Sequence, residues 1–151
     1  MAYHSIEDGQ FWEHTTPSVL KHLKEGAQSA GFNVAMLPLG NAEISDPPIV
    51  IIVKFQPGGV LPRHRHACHR VEILVSGTLK LSDGRFVQAG TVMTSSPGEF
   101  YGPLTAGPGG AVTAQVLSST FARVEYDLDS VGAGTLSRET LAHLRNKNAK
   151  M

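Results

Sequence analysis

Two histidines one residue apart, His64 and His66, stand on the segment Gly58-Gly59-Val60-Leu61-Pro62-Arg63-His64-Arg65-His66. On an extended chain, residues i and i+2 point to the same face, so two imidazoles can reach one point. Neutral imidazoles brought together in this way are well suited to hold a divalent metal ion. His69 and Glu72 follow within six residues of His66, and three of the seven histidines fall in this stretch. If the chain does chemistry, it does it here. A metal needs one or two further protein ligands, with open positions if it is to be catalytic.

The candidates compete by geometry. On a regular strand Arg70, Glu72 and Leu74 share one face, while His69, Val71, Ile73 and Val75 share the other. His69 and Glu72 can both face inward only if a bulge or bend separates them. Hydrophobicity alone would turn Val71, Ile73 and Val75 inward. Arg70 is costly inside a core unless paired. Glu72 is a candidate structural partner for it, and a substrate carboxylate is the functional alternative, because a planar guanidinium binds carboxylates bidentately. Cys68 reads as a small buried residue, with a soft ligand or reactive thiol as the alternative. His4, His14, His22 and His143 do not cluster and read as surface residues.

Short strands are required to position these groups. Apolar or alternating runs mark 32–39, 49–55, 60–66, 70–75, 78–81, 85–88, 91–94, 111–117 and 121–127 as strands. The pair Asp83-Gly84 suits a two-residue hairpin turn, whose central residues both need positive φ. Two loops, Ser95 to Pro103 and the glycine-rich Ala106 to Gly110, separate the later strands. A short helix is expected near the start, with Thr16 as N-cap, Pro17 in its first turn and Gly26 just past its end. A second helix, over about 136–147, carries Leu136, Leu141 and Leu144 on one stripe and is expected to pack on the barrel or on a partner subunit. Many short strands at this spacing point to an all-β sandwich or barrel.

The chain has 151 residues, which reads as one domain over 1–151 with a core of its own. Thirteen basic residues balance thirteen acidic ones, so no charged surface argues for nucleic acid or anionic lipid. The single cysteine excludes an intrachain disulfide and fits a reducing compartment. The longest apolar run, Ile49 to Val53, is far too short for a membrane helix, and the first residues lack the features of a signal peptide. A soluble, cytoplasmic protein is expected.

The stretch Gly58 to Gly77 resembles the first motif of the cupin superfamily: a glycine, five residues, His-x-His, three or four residues, a glutamate, six residues and a glycine. Gly58, His64 and His66 match without a gap, whereas Arg70 falls at the carboxylate position counted back from Gly77, with Glu72 two residues on. The second motif is followed in outline by Gly90 and Ser96-Pro97-Gly98, and places Tyr101 at the position of its histidine. The resemblance implies a double-stranded β-helix, or jelly-roll barrel, with its core at about 32–127, and outer strand faces covered in a homodimer. It also implies one divalent ion (iron, or zinc, manganese or nickel) held by His64 and His66 with Glu72 or His69. Tyr101 would direct its hydroxyl at the metal or at substrate, or pack as an aromatic. The implied function is a metal-dependent enzyme on a small acidic or carbonyl-containing molecule. A mononuclear non-haem oxygenase comes first, with isomerase or lyase activity in reach. In it substrate enters past Phe100 and Tyr101, and Arg70 and Tyr101 are its catalytic residues. A non-catalytic ligand- or metal-sensing module is the competing class.

Overall fold

The computed structural model describes residues 1–130 and 138–150. Two helical pieces precede the barrel. Asp8 caps α1 (Gly9–His14), its carboxylate accepting the Gln10 N–H at 2.9 Å. Six residues cannot hold a helix by themselves. What fixes α1 is Phe11 and Trp12, buried against Ala35, and the Lys24 ammonium, which donates to the Trp12 carbonyl. Thr16 does not cap a helix; its hydroxyl accepts the Met36 N–H at 3.1 Å. A 3₁₀ turn (Ser18–Leu20) then leads into α2 (Lys21–Ser29), which runs through Gly26 and stops at Gly31, where φ is +87°.

The strands are β1 (Phe32–Pro38), β2 (Ile49–Phe55), β3 (Val60–Leu61), β4 (His64–His66), β5 (Arg70–Lys80), β6 (Phe86–Gln88), β7 (Val92–Ser95), β8 (Leu104–Leu117) and β9 (Val124–Tyr126). The main sheet is antiparallel in the order β1-β2-β8-β5-β6, with β3 on β8 and β7 on β5. A two-stranded sheet of β4 and β9 closes the other side. Between them lies a core that includes Phe32, Val53, Phe55, Leu74, Leu79 and Leu117. The Phe32 and Phe55 rings meet edge to face at 5.2 Å. This is a jelly-roll barrel with helices at its two ends, as the motif spacing implies.

Several local expectations change. The predicted strand 60–66 is divided at Pro62, which has no N–H to give a ladder; β3 pairs with β8, and β4 with β9. The predicted strands 70–75 and 78–81 are one strand, β5, bent by register shifts after Leu74 and Gly77. The glycine-rich 106–110 is not a loop but part of β8. Glycine is required there by close approach rather than by a turn. At Gly77 (φ +77°), a Cβ would overlap the Gly110 carbonyl, so β5 and β8 touch backbone to backbone. The hairpin after β5 has a three-residue loop: Gly84 N–H bonds to the Leu81 carbonyl and only Gly84, not Asp83, has positive φ.

On β5 the alternation resolves in favour of the register that buries charge. Arg70, Glu72 and Leu74 face the core, while Val71, Ile73 and Val75 are 41–45% exposed. The last helix, α3 (Arg138–Ala149), covers the barrel's open end, with Leu144 buried and Leu141 half-buried; Leu136 lies outside the described residues. No helix of the described residues is long and apolar enough to cross a membrane.

Candidate active site

Backbone pairing places the two histidines before any side-chain contact is made. His64 pairs with Tyr126 and His66 with Val124 across β4–β9. Their side chains turn into the barrel, 4% and 8% exposed, while Arg65 between them turns outward to Glu125 at 2.8 Å. On the other edge, His64 and Tyr101 exchange backbone hydrogen bonds of 3.0 and 2.9 Å, and the Gly98 N–H reaches the His66 carbonyl at 2.8 Å. The loop 96–103 is thereby laced along β4, which delivers the Tyr101 side chain to the histidine pair.

The Tyr101 hydroxyl lies 2.5 Å from His64 Nε2 and 3.0 Å from His66 Nε2. The directions follow from the far end of the chain of bonds. His64 Nδ1 is 2.7 Å from the Pro62 carbonyl, which can only accept, so the His64 proton sits on Nδ1. Its Nε2 is then the acceptor for the Tyr101 O–H, and the Tyr101 oxygen accepts from His66 Nε2–H. His66 Nδ1 is buried without a partner. Both imidazoles are neutral: desolvation, followed by His66, takes His64 down to about 3, and desolvation followed by Arg70 takes His66 to about 4. Burial drives the Tyr101 phenol upward, well above its usual range, against the pull of Arg70.

Behind this cluster sits a buried ion pair, Arg70 with Glu72, whose side chains are 2% and 1% exposed. Arg70 also approaches Gln115 Oε1 at 3.4 Å and Ser95 Oγ at 3.5 Å, and its guanidinium carbon stands 3.5 Å from the Tyr101 ring centroid. Arg70 is therefore occupied on every side, and neither it nor Tyr101 lines the open cavity. Glu72 is committed to Arg70. His69 is exposed, tied through its backbone to Ser118, and stands apart from the pair. Among the described residues no group of three or more histidine, cysteine or acidic side chains forms a metal cluster. Cys68 is buried and free.

A cavity of about 540 Å³ opens beside His64, His66 and Gln115. Its walls are aliphatic side chains of β1 and β2, and its roof is formed by α2, α3 and β9. Phe100 is not among the residues that line it and lies instead beneath Arg63 and Arg65. Sequence reasoning missed Gln115, Tyr126 and the α3 residues, because only the closed barrel brings them to the histidines. Of the histidines read as surface residues, all are exposed, but His22 and His143 stand at the cavity's rim.

The residues fit a divalent ion in one arrangement and not in another. Two neutral Nε2 atoms converge on one oxygen; His64 has the Nδ1-to-carbonyl bond that orients a ligating imidazole, whereas His66 would have to pass its proton from Nε2 to the unpartnered Nδ1 in order to ligate. The Tyr101 oxygen is the third donor at that point. A set completed by Glu72 or His69 does not fit, since one is held by Arg70 and the other faces outward.

No family profile and no curated protein matches the sequence. Solved structures do. Oxalate oxidase with the substrate analogue glycolate is similar at a TM-score of 0.52 and 18% identity, over 80% of this chain and 74% of that one. The polyketide cyclase RemF from Streptomyces resistomycificus gives 0.51 and 19%, over 74% and 83%. An RmlC-like cupin from Shewanella frigidimarina gives 0.50 and 19%, over 61% and 79%. Likeness at such identities speaks to fold, and on fold it agrees with the glycine and histidine spacing of Gly58 to Gly77: the chain has the cupin fold.

Proposed function

We propose that this chain is a metal-dependent cupin enzyme acting on a small organic molecule in the cavity, with His64, His66 and Tyr101 holding the metal. The observation that carries this reading is the convergence of two neutral Nε2 atoms, at 2.5 and 3.0 Å, on one oxygen beside an apolar cavity. A bound divalent ion would supply a Lewis acid for a substrate oxygen or, as iron, dioxygen activation, so a mononuclear non-haem oxygenase is the first reaction class. The chain's own residues do the positioning. The Pro62 carbonyl holds His64 in the tautomer that frees Nε2. The Tyr101 hydroxyl keeps both rings aimed at one point. Glu72 neutralises Arg70, so the cation beneath the Tyr101 ring does not leave a net charge beside the site. The aliphatic walls keep water from the reacting end. Oxalate oxidase and a polyketide cyclase share the fold, which supports an enzyme over a bare scaffold. The buried lone Cys68 fits the reducing environment of the cytoplasm.

A second reading, a non-catalytic ligand-binding cupin, is favoured by one observation: the Tyr101 hydroxyl itself fills the point where the two Nε2 atoms meet. Elemental analysis of protein purified without a histidine tag separates the two. About one iron, zinc, manganese or nickel per chain, lost in His64→Ala/His66→Ala, is expected. No metal in either protein after anaerobic reconstitution would leave the binding module.

A further inference from the structure

The cavity's walls and its charges do not match each other, and the mismatch identifies a ligand. Most of the lining is hydrocarbon, from residues such as Phe32, Val34, Ile49, Ile51 and Val53. Yet no aspartate or glutamate of the described residues lines it, while Arg123, Lys147 and Lys150 do. Arg123 has Glu125 at 3.9 Å. Lys147 takes part in no ion pair among the described residues.

Lys147 is also placed with care. Asn148 clips α3 to β9 by two bonds to the Tyr126 backbone, accepting its N–H at 3.2 Å and donating to its carbonyl at 2.9 Å. That clip sets the Lys147 ammonium 5.5 Å from the Tyr126 ring centroid, and the Tyr126 ring lies 5.3 Å from His64. Leu144, one turn earlier, is buried on the same face and lines the cavity beside it. A helix whose only task was to roof an apolar cavity would place leucines at all these positions. A half-buried lysine instead costs stability in the empty protein, since burial works against its charge. A ligand anion offsets that cost.

We propose that the cavity takes an amphipathic monoanion, an apolar body bearing one carboxylate, with Lys147 of α3 binding the carboxylate and the body lying along the aliphatic wall toward His64 and His66. This deepens the reading of the cavity as a small-molecule site and rests on it. At roughly 30 Å³ per water-sized atom, 540 Å³ admits about 18 such atoms, a medium-chain or bicyclic acid. It also assigns carboxylate recognition to Lys147 in place of Arg70, whose donors are taken by Glu72, Gln115 and Ser95.

The test is calorimetric titration of the full chain, in the metal state in which it is purified, with octanoate, 1-octanol and octylammonium. Wild type should bind octanoate most tightly and octylammonium least. Lys147→Met should weaken octanoate by about ten- to a hundredfold, the loss of one charged hydrogen bond, and leave 1-octanol unchanged. Lys147→Arg should retain octanoate, and Lys147→Met without ligand should melt no lower than wild type. Octanoate binding that survives Lys147→Met but is lost in His64→Ala/His66→Ala would put the carboxylate at the metal end and overturn the inference. So would equal binding of the three probes, or no binding of any. Metal content at His64 and His66 judges the proposed function separately from all of these results.

Discussion

Removing one member of the Arg70–Glu72 pair should be among the most destabilising single changes in this chain. Both side chains are almost wholly buried, at 2% and 1% exposure, so neither charge has water to return to. Arg70→Met strands the Glu72 carboxylate and removes the guanidinium from the Tyr101 ring. Loss of one partner of such a pair costs about 3–5 kcal/mol. For a chain of 151 residues, at about 2–4 °C per kcal/mol, Tm should fall by about 6–20 °C. Glu72→Met strands the cation and should cost a similar amount. The double variant Arg70→Met/Glu72→Met buries only hydrocarbon and should recover most of the loss, since well-packed apolar replacements of buried pairs are often neutral or stabilising. Urea unfolding followed by circular dichroism, with EDTA present, closes the cycle, and a coupling of several kcal/mol is expected. Single variants that each cost less than about 1 kcal/mol and add without coupling would refute the argument and return Glu72 to the list of free metal ligands.

Two further outcomes follow from the same contacts. His64 and His66 have folded values of about 3 and about 4 against 6.5 for a free imidazole, so the unfolded chain binds more protons between pH 6.5 and 4. Their contribution is therefore complete above pH 6.5 and is lost as pH falls, at up to about 2.7 kcal/mol per pH unit for two protons. The urea midpoint in EDTA should drop along that slope in wild type and more gently in His64→Asn/His66→Asn; parallel profiles would contradict the burial argument. The outer face of β5 carries Val71, Ile73 and Val75, flanked by Val92 and Val116, all more than 40% exposed. Such a patch is proposed as a homodimer interface, so light scattering should give twice the chain mass for wild type and a monomer for Val71→Glu/Ile73→Lys. A monomeric wild type would contradict it.

The glycines and histidines made the fold legible because each marks a backbone demand that no packing choice can replace. Gly77 must sit against the Gly110 carbonyl, and His64 and His66 must share a strand face. Where the sequence misled, a long-range contact had overruled a local signal. Glycines at 107–110 read as a loop, yet they are strand residues because β5 and Phe55 press against them. Thr16 looked like a cap, but the Met36 N–H claims its hydroxyl. The alternation on β5 was ambiguous, since hydrophobicity favoured one face and motif register the other, and the buried ion pair takes the inner one. Most of what surrounds the histidines was invisible for the same reason: Gln115, Tyr126 and Lys147 lie dozens of residues away and meet His64 only when β8, β9 and α3 have closed the barrel.

The most direct test of the account is which third residue the metal site needs. Protein stripped with EDTA should be titrated with Co²⁺ by calorimetry and visible absorption, at a temperature where every variant is folded. The account predicts one Co²⁺ per chain in wild type and none in His64→Ala/His66→Ala. It predicts a loss of at least about tenfold in affinity in Tyr101→Phe, and little change in Glu72→Gln. Binding that survives Tyr101→Phe and disappears in Glu72→Gln would contradict it.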